Sequence, residues 1–559
     1  MGLREAAKTP AFRRRGFFIF VFLPLDFRQS GQSMLVPCRI HHFRGGGMSD
    51  WTGGYVADIV YTHGYYAELN PQRLKLAFLM AGHVFPEVGT ACELGFGQGV
   101  STNVHAAASV TQWYGTDFNP AQAGYAQELA AASGAHARLY DEAFEDFANR
   151  SDLPEFDFIC LHGIWSWIND ANRQVIIDFI RRKLKVGGVV YISYNTQPGW
   201  AAMAPLRDLL AEHAQVMGAQ GSGIVPRIDA ALDFASRLLA GGAAYGRANP
   251  GVAKRLEAIG KQDRQYVAHE YFNRHWVPMS FAKMAEWLDA AKLTYATSAS
   301  YLDHVDSINF NADQQQMLKE LQDRMFRETV RDFMVNQQFR KDYWVRGARQ
   351  LAPLEQQEQL RRQRFVLVRA PDRITLAVSG ALGEANMQEN VYRPILARLA
   401  GFQPFSLGEL QEEMKSEGIA AGAVLQAIVI LIGKGVLEPV QDAALIDAAH
   451  PTTRRLNRKL CEQARHTDTV SVLASPVTGG GLSLGRVDRL YLLARANGAA
   501  NTEDAARFIV DALTAAGQNL VKDGKALDLR EAALAEGIRI VKSMDEQLLP
   551  LLTALRIDC

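Results

Sequence analysis

The chain has 559 residues, of which 48% are hydrophobic and 21% charged, so it is long enough for two to four domains of ordinary globular composition. Lysine plus arginine and aspartate plus glutamate both number 60, so the net charge gives no argument for a nucleic-acid or membrane partner. The five cysteines are scattered without C-x-x-C spacing, which argues against a disulfide framework or zinc site and predicts reduced thiols in a cytoplasmic protein.

The first 47 residues carry a basic stretch at 13–15, followed by an apolar run at 16–25. We find no small-x-small cleavage site directly after the run, and the run is too short to cross a bilayer as a helix. We expect residues 1–47 to be disordered, with Met48 as the real initiator. A weak membrane anchor is the alternative.

Residues 48–200 alternate short apolar strands with helices. The predicted strands are 88–94, 112–117, 137–140, 156–162 and 189–194, and the predicted helices are 100–108, 120–132 and 172–184. Connections of this length imply right-handed crossovers between parallel strands. The fold class is therefore α/β, with a doubly wound sheet whose ligand crevice lies beyond the carboxyl ends of the strands.

After residue 200 the chain turns mainly helical. We predict a helical region on the substrate side at 201–310, which completes the first domain and includes a sixth strand at 293–299. We predict a helical connector at 311–364, built on one long charged helix at 314–340. This region would therefore link the sheet to the rest of the chain.

The last third is predicted to hold two smaller domains. Residues 365–368 and 374–378 suggest a hairpin within a middle domain at 365–450. The helix–helix–strand order at 405–439 resembles a winged helix, but its second helix carries no lysine or arginine, so we expect packing or substrate docking rather than DNA binding. Residues 451–559 are predicted to form a helical C-terminal domain.

A glycine-rich loop joins the first strand to the first helix. It places an acid and three glycines at alternate positions: Glu93, Gly95, Gly97 and Gly99. Glycine lets the chain turn sharply and lets a ligand lie against the backbone, while the following helix directs its N–H groups toward that ligand. Val100 stands where the dinucleotide fingerprint needs a third glycine, so the spacing favours a different nucleotide-like ligand.

Asp117 ends the second predicted strand, 24 positions after Glu93. In a doubly wound sheet its carboxylate would lie beside the ligand crevice and could accept hydrogen bonds from both hydroxyls of a ribose. The alternative is a helix cap ahead of Pro120, a role that Asn119 fits better. We therefore favour ribose binding.

Aromatic and polar residues follow the next three strands. Phe144 could pack against an adenine ring, although a plain helix start is equally well supported. The segment 162–167 brings a histidine, a hydroxyl and two indoles to the mouth of the crevice, and we favour a site role for at least one of them over simple cover of the sheet edge. Tyr194 and Asn195 would point into the same crevice, with a turn capped by asparagine as the alternative.

A histidine-containing stretch at 269–276 suggests metal ligation at first sight. His269 and His275 are six positions apart, however, rather than the four that place two ligands on one helix face. We expect no metal site here, and we expect the stretch to brace the helical region against the sheet.

Residues 55–200 resemble class I S-adenosylmethionine-dependent methyltransferases. The segments that carry the resemblance are ELGFGQG at 93–99, GTDFNP at 115–120, LHGIWSW at 161–167 and SYNTQPGW at 193–200. They are similar to bacterial methyltransferases with a methyltransferase regulatory domain, the group that includes the rickettsial outer-membrane-protein lysine methyltransferases. The resemblance continues through 266–295 and 327–347 and fades after about residue 440.

The resemblance implies a Rossmann-like methyltransferase sheet with a helical insert, and S-adenosylmethionine as cofactor. The residues assigned to the cofactor are Tyr55, Tyr61, Tyr65, Glu93, Gly95, Gly97, Gly99, Asp117, Phe118, Phe144, His162 and Gly163. The residues assigned to methyl transfer are His162, Trp165, Trp167, Tyr194 and Asn195. Phe96 stands where a cysteine is usual in this group. The backbone of that position, rather than its side chain, should contact the ligand, so this difference puts little of the cofactor assignment in doubt.

The resemblance implies a protein lysine amine as the methyl acceptor. Such an amine must lose its proton before it attacks, and a dry aromatic channel would lower its pKa from about 10.4. The alternatives are a small-molecule or surface-sugar acceptor, or a cofactor-binding regulatory protein without turnover. The D/N-P-P-Y/F signature of nucleobase methylation is absent after the fourth strand. We therefore expect a protein or small-molecule partner, no nucleic acid and no membrane span, and we leave a homodimer open.

Overall fold

The computed structural model describes residues 62–218 and 221–559. The expectations for residues 1–47, and those for Tyr55 and Tyr61, lie outside the described residues. Across the two described ranges, none of the helices combines the length and the apolar character needed to cross a lipid bilayer.

A seven-stranded sheet organises the first part of the chain. Its strands are β1 (Thr90–Leu94), β2 (Gln112–Asp117), β3 (Arg138–Asp141), β4 (Phe156–Leu161), β5 (Leu184–Asn195), β6 (Leu293–Ser298) and β7 (Phe339–Arg346). They lie in the order β3-β2-β1-β4-β5-β7-β6, with β1 to β5 parallel and β7 antiparallel to both of its neighbours. The order reverses between β1 and β4, so the topological switch point lies at the carboxyl ends of these two strands.

Helices cover both faces of this sheet, as expected for a doubly wound fold. In this part of the chain they are α1 (Pro71–Met80), α2 (Val100–Ala108), α3 (Pro120–Ser133), α4 (Phe144–Ala148), α5 (Asp170–Lys183), α6 (Ala204–Val216), α7 (Ile224–Ala240), α8 (Ala244–Ala248), α9 (Gly251–Gly260), α10 (Arg264–Tyr271), α11 (Phe281–Asp289), α12 (Asp306–Asn309), α13 (Ala312–Glu320) and α14 (Arg324–Val335). One sheet face packs against α1 and α2, and the other packs against α4, α5 and α11. The predicted α/β class, the helical insert and the sixth strand are confirmed.

Asparagine–proline pairs set the start of two of these helices. The side chain of Asn70 accepts a hydrogen bond from the backbone of Gln72, and Asn119 does the same for Ala121, with Pro71 and Pro120 in the first turns. The cap of α3 is therefore Asn119, which leaves Asp117 for another role.

The chain beyond the sheet forms short strands and further helices. The helices are α15 (Pro353–Arg362), α16 (Glu389–Leu399), α17 (Leu407–Ser416), α18 (Ala421–Gly433), α19 (Ala443–Gln463), α20 (Arg486–Ala496), α21 (Thr502–Ala515), α22 (Arg530–Ser543) and α23 (Leu549–Ala554). The strands are β8 (Arg364–Leu367), β9 (Ala377–Gly380), β10 (Gly383–Asn386), β11 (Phe405–Ser406), β12 (Leu437–Pro439), β13 (Val472–Ser475), β14 (Gly480–Ser483), β15 (Val521–Lys522) and β16 (Lys525–Ala526). The helix–helix–strand order predicted at 405–439 is present as α17, α18 and β12. The C-terminal helices pack through α19 on the helices α2 and α3, where Arg455 donates to the backbone of Ser133 in α3.

Two predicted elements are wrong. The long helix at 314–340 is three elements, because Asp323 caps α14 and Asn336 ends it in the left-handed conformation, and the chain then enters the sheet as β7. Residues 311–364 are therefore not only a helical connector. The predicted hairpin is also absent from residues 364–386: β8 pairs with β11 and β12, while β9 pairs with β10.

Candidate functional site

The loop between β1 and α2 has a backbone path that requires glycine. Gly95, Gly97 and Gly99 have φ angles of +76°, +58° and +65°. A Cβ atom on Gly95 would lie 2.4 Å from the side chain of Ile164, and one on Gly99 would lie 2.4 Å from the Cβ of Ala126. Conformation and close packing thus fix this loop at the switch point of the sheet.

Asp117 holds the loop from the neighbouring strand. Its Oδ2 accepts a hydrogen bond of 2.8 Å from the backbone N–H of Gly97, and its Oδ1 accepts one of 3.0 Å from Asn119. Burial raises the pKa of Asp117 to about 7. Each carboxylate oxygen keeps a further lone pair with which to accept a ligand hydroxyl.

Glu93 lies beside Asp117, under the glycine loop. It is buried, and the hydroxyl of Thr102 in α2 donates to its Oε2. Burial, reinforced by the charge of Asp117, raises the pKa of Glu93 to about 8. The loop is thus bordered by two buried carboxyl groups that can each hold a proton near neutral pH.

Phe96 lies in the loop, and two further phenylalanines follow neighbouring strands. The side chain of Phe96 packs against α3 and Leu139, so the backbone rather than the ring of this residue belongs to the loop. Phe118 follows β2 and Phe144 begins α4, and both are half-buried. They lie next in the chain to the carboxyl ends of β2 and β3, and Phe144 is the residue for which the sequence predicted an adenine contact.

His162 lies at the carboxyl end of β4. Its Nδ1 is joined to the hydroxyl of Tyr191 by a hydrogen bond of 2.9 Å, and the ring of Tyr66 stacks on its imidazole. The next residue, Gly163, donates its N–H to Oγ of Ser193 at 2.8 Å. Burial lowers the pKa of His162 to about 3, so the imidazole is neutral at physiological pH.

The cap segment, Tyr65–Glu68, covers His162 and is anchored from two directions. The hydroxyl of Tyr65 accepts a hydrogen bond from the N–H of Gly481, which lies in β14. Glu68 forms an ion pair with Lys341 of β7, and Lys341 lowers the pKa of Glu68 to about 2 against the opposing effect of burial. The cap segment therefore links the seven-stranded sheet to the C-terminal part of the chain.

Two residues assigned to methyl transfer lie in the core on the other face of the sheet. Trp165 is fully buried and its indole N–H donates to Sδ of Met279, while the hydroxyl of Tyr194 donates to Asp342 at 2.9 Å. Side chains alternate between the faces of a strand, so Tyr191 faces His162 and Tyr194 faces away. We correct the assignment of Trp165 and Tyr194 to packing roles, and Tyr191 is the tyrosine of β5 that lies beside His162.

Trp167 and Asn195 lie where the helical insert meets the sheet. Trp167 packs in a cluster that includes Trp200 and Trp276. Nδ2 of Asn195 and the indole N–H groups of these three tryptophans are buried, without a hydrogen-bond partner within residues 62–218 and 221–559. The indole N–H groups of Trp113 and Trp344 in the core are unpaired in the same way, so these donors do not by themselves mark a ligand site.

Several residues of this arrangement were not assigned from the sequence: Tyr191, Ser193, Glu68 and Lys341. The alternation of side chains along β5 was the available signal for the first two, since it places both with Asn195 on one face. No local pattern pointed to Glu68 or Lys341. Among the described residues, no group of three or more His, Cys, Asp or Glu side chains is arranged to hold a metal ion.

Comparison with known proteins identifies two regions. A model described as "Methyltransferase domain" matches residues 91–188, and one described as "Predicted methyltransferase regulatory domain" matches residues 263–346. The second match covers β6 and β7, so the region described as regulatory supplies two strands of the sheet.

Relatives cover nearly the whole chain. It is 39% identical over 513 residues to the uncharacterized protein sll1526 of Synechocystis sp., an alignment that covers 91% of this chain and 100% of that protein. It is 26% identical over 288 residues to the uncharacterized protein RP789 of Rickettsia prowazekii, which is 49% of each chain. The solved structure of PKMT2 from Rickettsia typhi in complex with AdoHcy superposes with a TM-score of 0.66 at 17% identity, over 89% of this chain and 100% of that one.

Proposed function

Because the chain belongs to the family of class I S-adenosylmethionine-dependent methyltransferases with a predicted methyltransferase regulatory domain, we propose that it transfers a methyl group to a lysine amine of a protein. S-adenosylmethionine is the methyl donor of the family. The sulfonium of this cofactor supplies an already activated methyl group, so the protein has mainly to bind, align and dry the reactants.

The described residues fit the cofactor at the switch point of the sheet. The positive φ angles of Gly95, Gly97 and Gly99 turn the loop at this point, and Asp117 offers carboxylate lone pairs to the ribose hydroxyls. Phe118 and Phe144 are the candidates for contact with the adenine ring. The N-terminus of α2 favours the negatively charged carboxylate of the cofactor's amino-acid part.

The aromatic surroundings of His162 carry the proposal of an amine acceptor. Tyr66, Tyr191 and Phe339 all lie against the imidazole, with Phe339 edge-on at 6.4 Å. A lysine amine must lose its proton before it can attack, and dry surroundings favour the neutral amine. Neutral His162 can accept a hydrogen bond from that amine and so hold it in line, and Asn195 can orient a carbonyl beside it.

Transfer of radioactivity from methyl-labelled S-adenosylmethionine to a cell extract tests this proposal. We expect the full-length chain to label protein, and peptide mass spectrometry to place the methyl group on lysine. The Asp117→Ala variant is the matched control. Label that appears only in small molecules would favour a small-molecule acceptor. If calorimetry shows that S-adenosylmethionine binds but no label is transferred, a cofactor-binding regulator is favoured.

A further inference from the structure

Two cysteines meet where the C-terminal segment, residues 555–559, packs along α19. Cys461 lies in the last turn of this helix and is fully buried, and Cys559 is half-buried against the same hydrophobic core. Both are free thiols, and a hydrogen bond joins their sulfur atoms. The two residues are far apart in the sequence, so the tertiary structure alone brings them together.

The C-terminal segment is held along one face of α19 by a series of polar contacts. Nδ2 of Asn457 donates to the carbonyl oxygen of Asp558 at 3.2 Å, and Nε2 of His450 lies 3.0 Å from Oδ1 of the same residue. Asn457 lies one helical turn before Cys461, and residues four positions apart share a face of a helix. These contacts therefore set the register that places Cys559 against Cys461.

The surroundings of the two thiols differ. The hydrogen bond from Cys461 lowers the pKa of the Cys559 thiol against the opposing effect of burial. The positive charges of Arg458 and Arg454 lower this pKa further, whereas the charge of Asp558 opposes them. The same hydrogen bond, together with burial, raises the pKa of the Cys461 thiol. Cys559 is therefore the member of the pair that ionises, and the thiolate is the reactive form of cysteine.

Two further cysteines of the described chain provide a contrast. Cys92 in β1 and Cys160 in β4 are fully buried, and burial raises the pKa of both thiols. Their side chains pack in clusters on opposite faces of the sheet. Oxidation of a cysteine requires both thiolate character and access for the oxidant, so these two residues should be inert.

We propose that Cys559 and Cys461 form a dithiol site that responds to peroxide, with Cys559 as the attacking thiol and Cys461 as the resolving thiol. The Cys559 thiolate attacks one oxygen of hydrogen peroxide, the O–O bond breaks and hydroxide leaves, which gives a sulfenic acid. The sulfur of Cys461 then attacks the sulfur of the sulfenic acid. The S–O bond breaks, the S–S bond forms, and the oxygen leaves as water with the proton of Cys461. In total two thiols are oxidised and one peroxide is reduced to two molecules of water, since the hydroxide takes up the proton that Cys559 released.

The disulfide closes a loop that contains the C-terminal helices α20 to α23. The helix α19, to which it fastens them, packs in turn on α2 and α3. Thr452 donates to the carbonyl oxygen of Ala107 at 2.7 Å, and Arg455 donates to that of Ser133 at 2.7 Å. Because α2 follows the glycine loop and α3 follows Asp117, the oxidised site covalently ties the C-terminal helices to the helix that packs on the cofactor-site elements.

Mapping of the cysteines in the full-length chain after peroxide treatment tests the site. Reduced protein is treated with hydrogen peroxide, the remaining thiols are alkylated under denaturing conditions, and a non-reduced digest is analysed by mass spectrometry. We expect a cross-linked peptide pair that joins Cys461 to Cys559 within one chain and that dithiothreitol cleaves, with Cys92 and Cys160 recovered as alkylated thiols. Recovery of Cys559 as a free thiol, its oxidation to sulfinic acid without the cross-link, or a cross-link between two chains would overturn the proposal.

Two variants separate the roles of the two thiols. In Cys461→Ser the sulfenic acid of Cys559 has no resolving thiol, so dimedone should trap it at Cys559. In Cys559→Ser, Cys461 should stay unlabelled and unoxidised, because its thiol is buried and its pKa is raised. Trapping at Cys461 in Cys559→Ser, or none at Cys559 in folded Cys461→Ser, contradicts the assignment. If Cys461→Ser does not fold, the wild-type map and Cys559→Ser, which changes a half-buried position, still decide, and neither measurement depends on methyl transfer.

Discussion

The ring of Tyr66 lies on the imidazole of His162 with the ring centroids 3.4 Å apart and the planes inclined by 19°. The stack is held in place from α2, where Ser101 accepts a hydrogen bond from the N–H of Tyr66 and His105 donates one to its carbonyl oxygen. The cap segment and the histidine therefore form one surface. The neutral state of His162 depends on this cover, since burial is the main cause of its low pKa.

Removal of the Tyr66 ring should return the titration of His162 toward ordinary values. In Tyr66→Ala, water reaches the imidazole and stabilises its charged form, so the pKa should rise from about 3 toward 6.5. NMR titration of the histidine ring signals measures the shift, with His162→Gln to assign the signal. Tyr266→Ala removes an exposed tyrosine and should leave the pKa of His162 unchanged. An unchanged pKa of His162 in Tyr66→Ala would show that the stack does not control the charge of the imidazole.

Tyr191 and Tyr194 form a matched pair on opposite faces of β5. We expect Tyr191→Phe to lower kcat, because His162 loses the hydrogen bond that fixes its tautomer. Tyr194→Phe should keep its activity but lose about 1–3 kcal/mol of unfolding free energy, because the buried Oδ2 of Asp342 loses one of its two donors and keeps only Arg340. Methyl-transfer rates and urea unfolding are measured for both variants. A loss of activity in Tyr194→Phe but not in Tyr191→Phe would return Tyr194 to the site.

Replacement of Asp117 tests the cofactor site directly. We expect Asp117→Ala to weaken S-adenosylmethionine binding by about 1–3 kcal/mol, since a charged acceptor for two hydroxyls is lost. Calorimetry measures the change, and Asp313→Ala, at an exposed position on α13, provides a control. Equal affinities of the wild-type and Asp117→Ala chains would limit Asp117 to holding the glycine loop.

Cofactor binding should release protons below neutral pH. The pKa of Asp117 is raised to about 7 in the folded chain, so the native state retains a proton that the unfolded chain loses near pH 4, and folding stability falls as pH rises between these values. Ribose hydroxyls donate to the ionised carboxylate, so binding should expel that proton and affinity should increase from pH 6 to pH 8. Binding heats at pH 6 in two buffers of different ionisation enthalpy measure the release. Net proton uptake on cofactor binding would contradict this prediction. The Asp117→Asn variant should no longer release the proton.

Substitution should cost more stability in the glycine loop than at a glycine that has a similar positive φ but free space around it. Gly95→Ala combines a positive φ with a clash against Ile164, whereas Gly187 has a φ of +84° and open space around it. We expect Gly187→Ala to cost about 1 kcal/mol of unfolding free energy and Gly95→Ala about 1–3 kcal/mol more. Thermal unfolding compares the two, and equal losses would show that Ile164 moves aside.

The parallel strands and the loop were predictable because their signals are local. Apolar runs at β1 to β5, the glycine spacing and the acid at the end of β2 all follow from a few neighbouring residues. In contrast, β7 carries Arg340 and Asp342 at positions that bury them, and a charged stretch of this kind resembles an exposed helix. Their partners come from α14 and β5, so the strand is stabilised by contacts that no local pattern contains.

The choice between Tyr191 and Tyr194 needed the tertiary structure for a related reason. Alternation along β5 divides the two tyrosines between the faces of the sheet, but both faces of a buried strand are apolar. Only the packing of α1 and α2 on one face, and of α5 and α11 on the other, determines which tyrosine meets His162. Similarly, the partner of Glu68 lies 273 positions away in the chain.

The antiparallel pairing of β7 with β5, from Val189 opposite Val345 to Asn195 opposite Phe339, also bears on how such enzymes can diversify. A fragment that stopped near residue 200 would expose the whole edge of β5, and long open edges of this kind drive aggregation. The regulatory region therefore cannot be gained or shed as an independent module while the catalytic sheet stays intact. Within this family, the region described as regulatory and the sheet that it completes are therefore expected to be inherited together.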